Sequence, residues 1–251
     1  MDVSKEHRRQ KLIDTLLGIA DTELKAKQRI QFDNFVVNAL HFYPDAEYLE
    51  RPTEDIFWSV WGLCCFAQRF SVEDAKEGKV RVFTPTKKID GWNSQYTTIY
   101  IDHRDMPFLV DSLRIALNRR GLNIFTLQSN PVWILRDSAG QLKQISSTYL
   151  PESESEALMT IEVDLLTETE SDDLRKELVS VLDDVSAVVD DHGAMLKRLE
   201  QLIGELRQNA PSVDQLDESV AFLEWIYSGF FVFTGSAEFT LDNVSEKVYL
   251  K

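Results

Sequence analysis

The stretch that decides the fold runs from Tyr96 to Val132 and reads YTTIYIDHRDMPFLVDSLRIALNRRGLNIFTLQSNPV. In its first part, Ile99 and Ile101 alternate with Tyr100 and Asp102. Successive side chains of a β-strand point to opposite sides of its sheet, so this period of two predicts a strand with one buried face.

A helix is predicted directly after this strand. Asp105 offers a side-chain oxygen for the helix cap, and Pro107 suits a first turn in which its missing N–H costs nothing. Apolar residues then recur at helical spacing, at Leu109, Leu113, Ala116 and Leu117. Gly121 suits the left-handed conformation that often ends a helix. A second strand is predicted from Leu122 to Leu135, with a kink at Pro131.

This unit carries a family resemblance. Asp105-Met106-Pro107-Phe108-Leu109-Val110-Asp111-Ser112, followed by Leu117-Asn118-Arg119-Arg120-Gly121-Leu122, resembles the N-terminal ACT-type region of the large bacterial NAD-dependent glutamate dehydrogenases. Further segments fit the family in the same order: Arg81-Val82-Phe83-Thr84-Pro85 with Gly91-Trp92, Arg136-Asp137-Ser138-Ala139-Gly140, and Ala221-Phe222-Leu223-Glu224-Trp225-Ile226.

The resemblance implies a fold, a parent reaction and partners. The fold class is α+β: a helical domain, an ACT-like ferredoxin-like α/β sandwich with an extra hairpin, then helices and a terminal strand. The parent enzyme would oxidise L-glutamate to 2-oxoglutarate and ammonia with NAD as hydride acceptor. This segment would contribute assembly or allosteric control, with no catalytic residue of its own. Its partners would be further copies of the ACT-like domain, the downstream catalytic domains of the parent chain, and a small amino-acid effector.

The resemblance also implies a ligand site at the predicted helix start. Backbone groups of Arg104, Asp105, Met106, Pro107 and Phe108 would hold the carboxylate of an amino acid, and Asp111 or Asp105 would hold its ammonium group. Helix N-termini present unpaired N–H groups and positive potential, which suit a carboxylate. Many ligand-binding ACT loops have glycine after the proline, whereas this chain has Phe108, whose ring would fill the site. We therefore favour an assembly role over ligand binding.

Hydrophobic spacing divides the chain into a helical domain (residues 1–75), the ACT-like domain (79–192), and linker helices with the start of a further module (193–251). In the first region, Pro44 to Pro52 is expected to connect two helices. In the last, a new helix is expected from Ala194 to a break at Pro211-Ser212, with a strand from Phe230 to Leu241.

Between these, Asp137 to Gly140 is the predicted turn of a hairpin, and Glu152 to Glu156 an acidic loop. Met159 to Leu165 alternates apolar and polar residues, which predicts a strand with one face in water. Leu174 to Val189 is a predicted amphipathic helix.

The net charge is −15 over 251 residues, and residues 151–191 hold 14 of the acidic residues against two basic ones. Such a surface repels phosphate backbones and argues against nucleic-acid binding. We interpret it as a solvated face in preference to a docking site for a basic partner or a cation.

Other features limit the class of protein. No apolar run reaches the roughly 18 residues that span a membrane, and the N-terminus lacks the apolar core of a signal peptide. Cys64 and Cys65 are adjacent and offer no disulfide framework. No two of the ten glycines lie within two residues of each other, so no dinucleotide-binding turn is present. We expect a cytoplasmic location, with no metal site and no cofactor in this segment.

Three alternatives remain open. One is a free-standing amino-acid sensor that acts through a partner. Another is a small hydrolase in which His103 works with Asp105 or Asp111, although we expect Asp102-His103-Arg104-Asp105 to be surface charges at a capped helix start. The third concerns the aromatic stripe of Phe57, Trp58, Trp61 and Phe66, which would face a ligand instead of packing in a helical core or against a neighbouring domain.

Overall fold

The computed structural model describes residues 3–40, 51–70, 78–208, 216–237, 239–242 and 247–250. These residues belong to two compact units, residues 1–183 and residues 184–251. Most of the expected connection from Pro44 to Pro52, and the expected break at Pro211-Ser212, lie outside the described residues. The domain bounds at residues 75 and 192 stay predictions.

Among the described residues, the first unit begins with the helices α1 (Val3–Glu23), α2 (Ala26–Ala39) and α3 (Thr53–Ala67). Five strands follow: β1 (Lys79–Phe83), β2 (Thr97–Arg104), β3 (Ile124–Arg136), β4 (Leu142–Ser146) and β5 (Glu154–Val163). The short helix α4 (Lys87–Asp90) joins β1 to β2, α5 (Leu109–Arg119) joins β2 to β3, and α6 (Glu168–Gln208) follows β5.

The strands form one sheet in the order β1-β2-β5-β3-β4, and every neighbouring pair is antiparallel. Strands β2 and β3 therefore run parallel, with β5 between them, which is the split β-α-β arrangement of ferredoxin-like folds. In the usual β-α-β-β-α-β order, the edge strand beside the first strand comes last in the chain. Here β1 takes that place and comes first. The predicted α+β class is confirmed, with β4 as the extra hairpin strand.

Helices cover both faces of this sheet. On the face that we call the α1–α3 face, sheet residues share a core with the first three helices: Tyr100, Val132, Ile134, Ile145 and Leu158. The opposite face, which we call the α5–α6 face, buries the alternate strand residues Ile99, Ile101, Met159, Ile161 and Val163. Leucines of α5 and α6 are buried as well: Leu109, Leu113, Leu117, Leu174, Leu178 and Leu182. The predictions of one buried face for β2 and one face in water for β5 were wrong, because a helical layer lies on each side.

The start of α5 differs from the prediction. The helix begins at Leu109, and Phe108 before it has φ +71, in the left-handed region. Asp105 therefore does not cap the helix, and Pro107 lies outside its first turn. At the other end, Gly121 has φ +73, so its left-handed conformation is confirmed.

Strands β3 and β5 also differ from expectation. Pro131 pairs with Ala157, and the register shifts of β3 lie at Ile124/Thr126 and Leu135/Arg136, so the pairing with β5 is not shifted at Pro131. Because β4 pairs with β3 only from Trp133 onward, Pro131 removes no donor from that ladder. Strand β5 begins at Glu154, inside the segment expected to be a loop.

Helix α6 is one continuous helix of 41 residues, where two helices were expected. Gly193 does not interrupt it, since a glycine inside a helix costs only about 1 kcal/mol. The second unit also contains α7 (Leu216–Trp225), a turn over Ile226–Phe230 in which Gly229 has φ +94, and an antiparallel pair, β6 (Phe239–Asp242) and β7 (Lys247–Leu250). The strand expected from Phe230 is thus confined to Phe239–Asp242. Within the described residues, none of the helices has the length and apolar character needed to cross a bilayer.

Candidate functional site

The predicted ligand loop connects β2 to α5 at the surface. Arg104, Asp105, Pro107 and Phe108 are exposed, and Met106 is half-buried. The structure ties this loop to the start of β5: the Asp105 N–H donates to the Ser155 carbonyl at 2.8 Å. The Ser155 hydroxyl in turn donates to Asp105 Oδ2 at 3.2 Å. Asp105 therefore positions the loop instead of capping the helix.

Charge around this loop favours one end of an amino acid over the other. Asp111 lies in the first turn of α5 and is exposed, so its carboxylate interacts favourably with the positive end of the helix. A ligand carboxylate would compete with Asp111 for that position, whereas an ammonium group would gain from both Asp105 and Asp111. The ring of Phe108 is 44% exposed and stands beside the helix start.

A buried ionic cluster lies on the α1–α3 face of the sheet. Arg136 Nε and Nη2 donate to the two oxygens of Glu156 at 2.7 and 2.5 Å. Arg136 Nη2 also lies 3.2 Å from Asp102 Oδ2. Asp102 and Glu156 are buried, so this guanidinium balances two carboxyl groups that water does not reach.

Ionising two buried carboxyl groups beside a single guanidinium costs free energy. Burial raises the pKa of Asp102 well above its usual value, and the negative charge of Glu156 and a hydrogen bond to it raise this pKa further. The Arg136 and Lys79 charges act in the opposite direction without cancelling the effect. Asp102 therefore holds a proton at a pH at which an exposed aspartate has lost it.

The same cluster secures the C-terminal end of α3. Lys79 Nζ donates to the carbonyls of Phe66 and Arg69 at 2.5 and 2.7 Å. Arg136 Nη1 donates to the Ala67 carbonyl at 3.0 Å. Cations at the C-terminal end of a helix satisfy its last carbonyls and oppose its dipole. The cluster thus joins the sheet to the helical layer.

A second buried carboxylate lies on the same face. Glu162 is buried and receives both Nη atoms of Arg51, with Nη1 at 2.5 Å from Oε1. The Thr126 hydroxyl also donates to Glu162 at 3.2 Å. Glu156 and Glu162 both come from the acidic segment 151–191, so the interpretation of that whole segment as a solvated face was wrong for these two residues.

A cleft lies between α3 and the β1–α4 segment and has a volume of about 640 Å³. Trp58, Trp61 and Phe66 line one side of it, whereas Phe57 of the same stripe is fully buried in the core. The aromatic stripe predicted from the sequence therefore serves two purposes, and only part of it is core.

Asp102 and His103 were predicted as surface charges, and this was wrong because both are fully buried. His103 Nδ1 lies 2.8 Å from the Arg104 carbonyl. Its burial argues against a hydrolase in which His103 meets a substrate. The ionic cluster was hard to predict, because its members lie far apart along the chain. The one signal was Asp102, an acidic residue inside a predicted strand.

The fold and the surface loop indicate the class of domain. An antiparallel split β-α-β sheet, with a helix that starts from a surface loop after the first central strand, is the architecture of ACT-type domains, as the sequence resemblance implied. Comparison with known families makes this specific. Residues 35–178 match the family described as "Glutamate dehydrogenase, ACT1 domain", and the chain belongs to that family.

Two relatives are similar to this chain over most of its length. The NAD-specific glutamate dehydrogenase of Halomonas elongata is 31% identical over 246 residues, which are 95% of this chain and 15% of that protein. The NAD-specific glutamate dehydrogenase of Pseudomonas aeruginosa is 34% identical over 201 residues, which are 78% of this chain and 12% of that protein. The chain therefore spans only a small part of the length of these relatives.

Proposed function

We propose that this chain is a non-catalytic assembly or regulatory segment of an NAD-dependent glutamate dehydrogenase. The parent would convert L-glutamate, NAD and water to 2-oxoglutarate, ammonia and NADH in the cytoplasm. The family match carries this proposal. The sequence supports the non-catalytic part, because it lacks the glycine-rich turn that holds a dinucleotide.

The sheet supports an assembly role through its edges. Within the described residues, β1 and β4 are the edge strands of the sheet, and the start of β4 already exchanges backbone hydrogen bonds with residues 68–70. Such edges offer N–H and C=O groups to a further strand. We propose that copies of the ACT-like domain, or downstream catalytic domains of the parent, associate through these edges.

The assembly role is tested in the parent enzyme with proline substitutions at the edges. Gln144→Pro in β4 removes a backbone donor from an exposed position of the edge strand. Ser138→Pro in the adjoining turn is the comparison variant, because it changes the same hairpin outside the strand. A smaller assembly for Gln144→Pro in analytical ultracentrifugation, with the melting temperature retained, supports the proposal. An unchanged mass for both variants, and for a Val82→Pro variant in β1, excludes edge pairing.

A second candidate function is amino-acid sensing by the loop of Arg104 to Phe108 with Asp111. The two carboxylates beside the start of α5 favour it, because they suit an ammonium group. Thermal unfolding with glutamate, aspartate or arginine tests this. A ligand at about 100 times its Kd stabilises the fold by roughly 2.7 kcal/mol. The ligand should raise the melting temperature of the wild type. This increase should disappear in Asp111→Asn and persist in Asp172→Asn, where Asp172 is an exposed residue in the first part of α6.

A further inference from the structure

Helix α3 has two unlike faces. One face is part of the core, through Ile56, Phe57, Val60, Leu63 and Cys64. The other carries Trp58, Trp61, Cys65 and Phe66, which line the cleft described above. These three aromatic side chains are half-buried and pack against the core as well, so only part of each ring faces the cleft.

The opposite wall of the cleft comes from β1 and α4. It consists of Arg81 and Phe83 on β1 and the segment from Lys87 to Trp92. Tyr100 forms part of the lining, and its hydroxyl donates to the Ser59 carbonyl at 2.8 Å, which holds its ring in place. A volume of about 640 Å³ is within the range of roughly 300–1,000 Å³ typical of small-molecule sites.

Two glycines show that the cleft walls are closely fitted. Gly91 has φ +85, and a Cβ there would lie 2.4 Å from the Trp58 ring. At Gly62, a Cβ would lie 3.0 Å from the Tyr100 hydroxyl. The position of Trp58 therefore depends on a glycine in the α4 turn, and the cleft is preformed in this fold.

The charge of the cleft is opposite to that of the chain. Its lining contains three cations, Arg81, Lys87 and Lys88, and one anion, Asp90. Asp90 pairs with Arg81 at 2.9 Å, and the Arg81 guanidinium lies 3.8 Å from the centre of the Phe83 ring. Lys87 and Lys88 are exposed at the rim, with Glu54 3.9 Å from Lys87. The cations of this group still outnumber its anions, in a chain whose net charge is −15.

We propose that this cleft binds a small anion with a planar ring system. The ring stacks against Trp58 and Trp61, and a phosphate or carboxylate pairs with Lys87 and Lys88 at the rim. Aromatic walls supply apolar contact for any flat ring, and lysines act as point charges for either anion. This site lies apart from the α5 loop and stands whether or not the loop binds an amino acid.

Cys65 provides a direct readout, because this exposed residue lines the cleft, whereas Cys64 is fully buried. Partial burial of its sulfur raises the pKa of Cys65 to about 11, so labelling by a thiol reagent is slow. A ligand bound in the cleft would shield the sulfur further and slow the labelling more. The experiment measures the rate of Cys65 labelling in the 251-residue chain at mildly alkaline pH. The probes are adenosine 5′-monophosphate and indole-3-acetate. Adenosine alone and inorganic phosphate alone serve as controls.

We expect at least one probe to slow labelling several-fold in a saturable way, and each control alone to do so far less. Protection by the nucleotide only identifies a phosphate-bearing ligand, and protection by indole-3-acetate only identifies an aromatic carboxylate. Lys88→Glu should weaken protection about tenfold in apparent affinity, whereas Lys27→Glu, an exposed lysine of α2, should leave it unchanged. Equal labelling rates with and without millimolar probes, or protection that Lys88→Glu does not alter, would overturn the proposal.

Discussion

The two faces of the sheet are built by different means. On the α5–α6 face, strand residues such as Ile101 and Ile161 are buried together with leucines of α5 and α6. The α1–α3 face also has an apolar core, but it adds the buried carboxyl groups of Asp102, Glu156 and Glu162. Apolar contacts stabilise the packing of helices on the sheet but allow more than one relative position. Hydrogen-bonded charged groups, in contrast, require specific partners. We infer that the ionic groups fix the position of the α1–α3 layer on the sheet.

Among the variants considered, Arg136→Met is expected to lower the free energy of unfolding the most. This change leaves Asp102 and Glu156 buried without their guanidinium and frees the Ala67 carbonyl, so we expect a loss of about 3–5 kcal/mol in the free energy of unfolding. Urea denaturation measures it, with Arg114→Met on the exposed side of α5 as the matched control.

A combined variant tests whether the ionic cluster specifies the structure or merely stabilises it. Replacing Arg136, Asp102 and Glu156 together with Met, Leu and Met removes the buried charges and their partner at once. Such replacements are often neutral or stabilising. We expect most of the stability lost in Arg136→Met to return. If the combined variant is as unstable as Arg136→Met, the ionic groups contribute net stability and the comparison of the two faces must be revised.

On the apolar face, Leu113→Ala should cost about 3 kcal/mol, through lost burial and the cavity that remains. Leu113 is fully buried, and no ionisable group is removed, so this loss should be the same at pH 5 and pH 8. Urea denaturation at both values provides the measurement. A strong pH dependence for Leu113→Ala would show that the two faces are not independent.

The pH dependence of the charged face follows from Asp102. Because its pKa is raised in the folded state, the native protein holds a proton that the unfolded chain releases at lower pH. The stability contributed by this group is complete below a pH of about 3.8, the pKa of the unfolded side chain, and is lost as pH rises through the folded pKa.

Asp102→Asn removes this titration. The stability of the wild type minus that of Asp102→Asn should fall with rising pH in that window, by at most about 1.4 kcal/mol per pH unit, the slope for one proton. Asp172→Asn on the surface of α6 should show no such trend. A difference that stays flat or rises with pH would contradict a raised pKa.

Many features of the fold could be predicted from local sequence patterns. The other features depend on contacts between residues that are far apart along the chain. The strand–helix–strand unit and the cap at Gly121 were predictable because periodicity and backbone preference act over a few residues. The burial of Asp102 and Glu162 was not, since it depends on Arg136 and Arg51, which lie 34 and 111 residues away along the chain. The candidate cleft was visible only as an aromatic stripe on α3, because its cationic wall comes from another element.

The smallest change in stability is expected for a substitution of Phe108. At this position the chain departs from the glycine found in many ACT loops. The left-handed φ of +71 explains that preference, because a residue with a Cβ pays about 1–2 kcal/mol there. Phe108→Gly relieves this strain but loses part of the contact of its ring, so we expect a gain of about 1 kcal/mol or less in thermal unfolding. Phe125→Gly, an exposed aromatic on β3, is the comparison and should destabilise.

The strand order has a consequence for synthesis on the ribosome. The β1–β2 and β3–β4 pairs join neighbours in the chain, so each ribbon can form soon after it leaves the exit tunnel. Strand β5, the middle strand, is made after the other four and must enter between β2 and β3. The nascent chain therefore presents two separate ribbons with exposed edges until β5, the last of the five strands of this sheet to be translated, joins them.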